Sequence, residues 1–431
     1  MRKGEMSKPN AGPPPRFQLN PAITNYFTSL VTGASEVAGK ASATGIPWWV
    51  YPLAILILGL VIWFYMKTLF LVESPENIRS KLRKFVDTYN MYGNQRSSRK
   101  GLRQYLADLK TAGVPDEHLS LTNFFVCSAN SPAIFTPLTD GIVSPEAIRI
   151  ALAAGARYLD ITIYPSGPHG APMVCEMNPG SKWRRITMNE LSFAAVMTAI
   201  QQYAMSGPKA VADVNEAPYR EDPLFLMLRF QGSPKLETFK QVAAVLRDTI
   251  EPSRLDFTYN AGRGAERLFK TPITEYFGKT IILSNVYPPI DSPLNDYINV
   301  GPRSATPLEM APRDLNGLPD QMKAQTMALI QQNLTVTRTA MEEPDCNSNT
   351  WDWKTAHALG IHFAAMNFWS QDDNLKSYRA PAVFGVNSFL IKPLGMRYVI
   401  EYAAPPGQPN PALNAGNGTP AAPQSLNIPL S

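Results

Sequence analysis

Apolar positions fall along this chain in three rhythms, and each predicts a different kind of element. The first is an unbroken run: residues 41–66 carry no charge and are bounded by Lys40 and Lys67. Spanning a ~30 Å hydrocarbon layer takes ~20 apolar residues in a helix, the form in which one segment satisfies its own backbone there. Trp48, Trp49 and Tyr51 at one end, with Trp63 and Tyr65 at the other, match the interfacial aromatic belt. The run predicts a transmembrane helix over 46–72. It begins too late for a signal peptide, with no small-x-small site behind it, and a core helix of this length would carry a polar face.

The second rhythm is helical. Ser74-Pro75-Glu76 supplies an N-cap, an N1 proline and a first-turn acid. Ile78, Leu82, Phe85, Val86 and Tyr89 follow at helical spacing opposite Arg79, Lys81 and Lys84. A basic amphipathic juxtamembrane segment is expected over 73–114, resting on headgroups or on the domain behind it. The third rhythm begins near 115: short apolar strands at 124–127, 158–163, 173–175, 224–228, 280–283, 334–339, 363–368 and 389–391. Helices are predicted between them. Ser144-Pro145-Glu146 opens one ending near Gly155, a Thr187–Glu190 capping box precedes 191–204, and 234–237 opens another through 250. Apolar strands separated by helices argue for an α/β fold with a parallel sheet buried on both faces. A closed (β/α)8 barrel and a doubly wound open sheet both fit that alternation.

Between these rhythms the chain is punctuated. Residues 1–40 are rich in Pro, Asn, Gly and Ser, and too poor in apolar residues to fold alone. Residues 287–318 are dense in Pro, Asp, Asn and Gly and read as a linker; 404–431 form a second Pro/Ala/Asn tail. Two halves of one domain are expected, at 115–286 and 319–403. Lys67, Arg79, Lys81, Arg83 and Lys84 outweigh Lys40 with Glu36 across the span, which predicts a single-pass protein with its C-terminal domain on the cytosolic side or its virion equivalent. Cys127, Cys175 and Cys346 show neither metal-ligand spacing nor a disulfide framework. The small positive charge sits mostly beside the span, where it favours anionic lipid. Nucleic-acid binding would need a broader basic surface.

Several strands resemble those of phosphoinositide-specific phospholipase C. Residues 123–131 (NFFVCSANS) are similar to that family's first strand and 154–162 (AGARYLDIT) to its second. Residues 172–176 (PMVCE), 223–229 (PLFLMLR) and 278–283 (GKTIIL) follow at the third, fourth and fifth. The linker falls where the family separates its X and Y halves. Residues 364–370 (AAMNFWS) and 384–393 (FGVNSFLIKP) are similar to its last two strands. The resemblance covers about 120–395 and implies a TIM-type (β/α)8 barrel of the phospholipase C-like phosphodiesterase type.

That family uses two histidines for proton transfer and, in one branch, a calcium ion held by carboxylates. Mapped onto this chain, the histidine positions hold Ala129 and Glu176, while a neighbouring asparagine survives as Asn130. Ligand positions hold Asp160, Thr162 and Arg229, and phosphate-binding lysines give way to Ser284 and Asn285. Phe389 replaces the inositol-stacking tyrosine. Alanine transfers no proton, and glutamate is a poor acid near neutrality unless burial raises its pKa. No catalytic set is therefore expected, and no metal or cofactor is required, calcium included. Asn130, Asp160, Thr162, Glu176 and Arg229 form a vestigial mouth in which Arg229 pairs with Asp160 or Glu176 in a charge-assisted fork.

The resemblance then implies a pseudoenzyme: a barrel tethered to the bilayer as a scaffold, with Pro-rich tails as contact arms for other proteins. Degenerate, membrane-tethered barrels of this kind resemble structural components of large double-stranded DNA viruses, which points to a membrane-to-capsid linker with capsid proteins as partners. Two alternatives stand beside it. A headgroup-binding module would use Lys279, Lys392 and Arg397, and an atypical phosphoric diester hydrolase would use His169, Asp160 and Glu176.

Overall fold

The computed structural model describes residues 50–70 and Ser80. Within 99–399 it describes all but 137–140, 179–183, 206–218, 262–264, 303–308, 340–348, 350 and 371. The two tails and the juxtamembrane residues other than Ser80 before 99 lie outside the described residues. The chain divides into two compact units, 1–74 and 75–431.

In the first unit the apolar run forms α1, Val50–Phe70, about 31 Å long at 1.5 Å per residue. Its described side chains, 53–63, are all exposed. Among the described residues no helix is long and apolar enough to cross a membrane. The predicted span is thus seen as a helix, whereas its passage through a bilayer is not.

The second unit is built on one nine-stranded sheet. Its parallel strands are β1 (Phe124–Asn130), β2 (Tyr158–Ser166), β7 (Leu224–Phe230), β8 (Thr280–Ser284), β9 (Val336–Arg338) and β10 (Phe363–Asn367). They run in the spatial order β8-β7-β2-β1-β10-β9. Two predicted strands are present but reversed. β3 (Ala171–Val174) folds back antiparallel on the end of β2, and β11 (Phe389–Ile391) lies antiparallel on the start of β1. An apolar run is equally apolar in either direction, so the reversal leaves no trace in the pattern. β6 (Leu191–Ser192), on β3, completes the nine, while β4 (Met177–Asn178) and β5 (Arg184–Arg185) pair with each other in a separate two-stranded sheet.

The sheet curls. The rings of Tyr158 and Phe363 stack at 4.4 Å although β1 lies between their strands, which requires a concave face. No ladder joins β8 to β9 among the described residues, so the eight-stranded closed barrel is not what the pairing shows. Between them runs part of the predicted linker: Val300 bridges Leu283 of β8, and Glu309 bridges Val336 of β9.

Strand alternation separates two cores. Leu224, Leu226 and Leu228 face the helices α3 (Pro145–Ala153), α4 (Phe193–Ala204) and α5 (Leu236–Ile250). Phe124, Val126, Tyr158, Phe225, Met227, Ile281, Val336 and Phe363 face the concave side. There α2 (Leu102–Thr111) adds Leu102 and Leu106 to the same cluster. α3 begins as the sequence predicts, with the Ser144 hydroxyl accepting from Glu146 N–H. α4 does not, because its cap is Ser192 rather than the predicted box.

Candidate functional site

The same alternation builds the site. Following the concave-face residues up each strand, the apolar layer gives way at the C-terminal ends to Asn130, Asp160, Thr162, Arg229, Arg338 and Asn367. Register aligns Asn130 with Asp160 and Asn367, and Thr162 with Arg229. All six are buried.

Arg229 dominates the electrostatics. Its Nε and Nη2 donate to Oδ1 and Oδ2 of Asp160 at 2.9 and 2.7 Å, a two-point fork. Nη1 donates to Glu309 at 2.6 Å. Glu309 also accepts from Nε of Arg338 at 3.1 Å, and that nitrogen lies 3.8 Å from Asp160. Side-chain exposure is 1% for Asp160, 5% for Arg229 and 8% for Arg338, so these three charges are desolvated, and Glu309, 33% exposed, completes a match of two against two. Charges matched at this depth avoid the several-kcal/mol penalty of burying any one alone. Asp160 and Glu309 hold the Arg229 guanidinium above its ordinary value despite burial.

Glu176 follows the β2–β3 hairpin, which swings it under the end of β1. One carboxyl oxygen accepts from the hydroxyls of Ser131 and Thr162. The other has no hydrogen-bond partner among the described residues. Burial raises its pKa, opposed mainly by the Ser131 contact and by Arg338. Ser131 holds a positive φ of 43°, a backbone state uncommon for serine. Asn130 donates to Asn367 at 2.8 Å. A cavity of about 10 Å³ lies beside Ser131, Thr162 and Glu176, room for roughly one water.

The structure thus gathers Asn130, Asp160, Thr162, Glu176 and Arg229, with buried Ala129 on the opposite face of β1. Of the two acids offered to Arg229, it takes Asp160. Sequence reasoning missed Glu309, hidden in a linker-like segment, and Arg338, although a charge at the C-terminal end of a predicted strand is a usable signal.

The headgroup candidates lie elsewhere. Lys279 and Lys392 flank the opposite end of the sheet, before β8 and after β11. Lys279 donates to the Arg254 carbonyl at 3.4 Å. Lys392 is fully buried and so does not present its ammonium to a headgroup; the reversal of β11 carries it away from the mouth. Arg397 is half-buried and donates to the Lys392 carbonyl at 2.6 Å. His357 stacks on Phe125 at 4.1 Å, its pKa pushed down to about 3 by burial. His118 and His362 lie beside Arg397 and Lys392. His169 is exposed in the β2–β3 turn.

No family model matches this sequence, and no curated protein does. Solved structures do. PLC21 of L. pealei superposes with a TM-score of 0.50 at 17% identity, over 66% of this chain and 38% of that one. PLC21 of S. officinalis gives 0.50 and 17%, over 67% and 39%. A Ca2+-dependent phosphatidylinositol-specific phospholipase C from Streptomyces antibioticus gives 0.37 and 11%, over 63% and 99%. The chain therefore spans under two-fifths of the length of the PLC21 proteins it matches. At these identities the likeness shows the fold alone: a mixed α/β fold of the phospholipase C-like phosphodiesterase type.

Proposed function

We propose that this chain is a membrane-anchored, non-catalytic version of that fold, acting as a scaffold between a bilayer and other proteins. The observation that carries the reading is the fork between Arg229 and Asp160. Phosphodiester cleavage by acid–base catalysis needs a placed base, a placed acid and positive charge free to meet the phosphoryl oxygens. Here both Asp160 oxygens accept from Arg229, and each of the three Arg229 nitrogens is engaged by Asp160 or Glu309. Among the described residues no histidine hydrogen-bonds to this network or to Glu176, whose partners are Ser131 and Thr162.

The donor set also suits calcium poorly. That ion takes six to eight oxygens, and a guanidinium occupies the space between the nearest carboxylates. Calorimetric titration of the purified chain should show no calcium binding. Micromolar binding would refute the arginine-for-metal reading.

Anchoring rests on the uncharged run 41–66 and the aromatic residues at its two ends. The full chain should remain in the membrane pellet after alkaline extraction, and a variant lacking 46–72 should leave it. Release of both would refute anchoring. Pro-rich tails remain the proposed contact arms, and a link to capsid proteins is the narrower form of the same reading. A headgroup-binding role is disfavoured by the burial of Lys392.

A further inference from the structure

The segment 389–398 is fastened across the N-terminal end of the sheet, far from the mouth. β11 pairs with Phe124–Val126. Lys392 N–H donates to the Asn123 carbonyl at 2.8 Å, and Tyr398 and Asn123 exchange two bonds at 2.6 and 2.8 Å. Two side-chain contacts complete the attachment: Lys392 Nζ to His362 Nε2 at 2.8 Å, and Arg397 Nη1 to His118 Nδ1 at 3.2 Å. Each joins a base to a base. Among the described residues no carboxylate lies within ion-pair distance of Lys392 or Arg397.

The protons can be assigned. Thr335 N–H can only donate, and it meets His362 Nδ1 at 3.2 Å, so the proton of the neutral ring sits on Nε2. That N–H faces the Thr122 carbonyl at 2.9 Å and Lys392 Nζ at 2.8 Å. A charged ammonium has three donors and no acceptor, so this contact requires Lys392 as the neutral amine. Burial acts in the same direction, pushing both Lys392 and His362 well below their ordinary values. The other groups facing the pair add no negative charge. His357 lies behind the Phe125 ring, 5.5 Å from which Nζ sits, and Tyr105 accepts from Ile391 N–H through its hydroxyl.

We propose that 389–398 is an acid-labile latch, held while Lys392 and His362 are uncharged and released when they take up protons. A proton on Lys392 sets an ammonium against Nε2–H. The contact could re-form only by moving the ring proton to Nδ1, which breaks the bond from Thr335. A proton on His362 sets an imidazolium against Lys392. The released segment binds protons that the latched one does not, so attachment strengthens as pH rises and weakens as it falls.

Hydrogen exchange on the full chain in detergent, corrected for intrinsic rates, tests this. Protection across 389–398 should fall about tenfold or more from pH ~8 to pH ~5, while β2 and β7 hold theirs. Lys392→Met should remove most of that fall. Protection independent of pH, or an equal fall in the variant, would overturn the proposal. Lysine 13Cε resonances give a check that needs no variant: one should titrate far below 10.5, and none doing so would overturn it equally.

Discussion

Replacing Arg229 with methionine keeps the aliphatic stem and removes the guanidinium from the Asp160 fork. Asp160, 1% exposed, would keep only the Tyr158 hydroxyl at 3.4 Å and Arg338 at 3.8 Å. Removing one partner of a buried pair costs about 3–5 kcal/mol. Arg338 is close enough to compensate in part, so the lower end applies, about 3 kcal/mol. The lost contact to Glu309, one-third exposed, adds at most about 1 kcal/mol. At about 2 °C per kcal/mol for a domain of this size, the combined loss of about 3–4 kcal/mol should lower Tm by about 6–8 °C. Arg229→Met with Asp160→Asn should recover about 2 kcal/mol of that loss, because no buried charge is left unpaired. Urea denaturation of wild type, both singles and the double variant measures the coupling. A loss below about 1 kcal/mol for Arg229→Met, or singles that simply add, would refute a buried fork.

Glu176→Gln should become progressively more stabilising relative to wild type as pH rises from 4.5, by at most about 1.4 kcal/mol per pH unit. Burial raises the Glu176 carboxyl above its ordinary 4.5, so its contribution is full below that value and fades as pH climbs through the raised one. A difference that stays flat from pH ~4 to ~8 would contradict this. Gly385→Ala should destabilise by about 1–3 kcal/mol. Its new Cβ would stand 2.7 Å from the Arg379 carbonyl and 2.8 Å from Ala380 backbone; an unchanged thermal midpoint would refute that packing.

Most of the architecture was legible because burial on both faces gives strands an unmistakable apolar signature. All eight apolar runs from 124 to 391 fall on strands. Direction was not legible: Val174 and Phe389 lie on strands that run backwards, and that reversal decides where Glu176 and Lys392 go. It brings Glu176 under Ser131 and Thr162, and carries Lys392 to the far end against His362. The site was half legible. Asp160 and Arg229 could be paired from strand position, since residues of equal parity near the strand ends share the concave face. Glu309 could not, because it reaches the site through one bridge to Val336 inside a segment whose composition reads as linker. The cap of α4 fell to Ser192 because 191–192 pair with β3, delaying the helix past the Thr187 box.

We propose that the mouth of this fold works as an arginine–carboxylate lattice in place of a catalytic centre. The deciding measurement is turnover of phosphatidylinositol by the purified full chain, with calcium present and with calcium chelated. Release of inositol phosphate should stay at the no-enzyme background in both conditions. Turnover above that background that Glu176→Gln abolishes would contradict it.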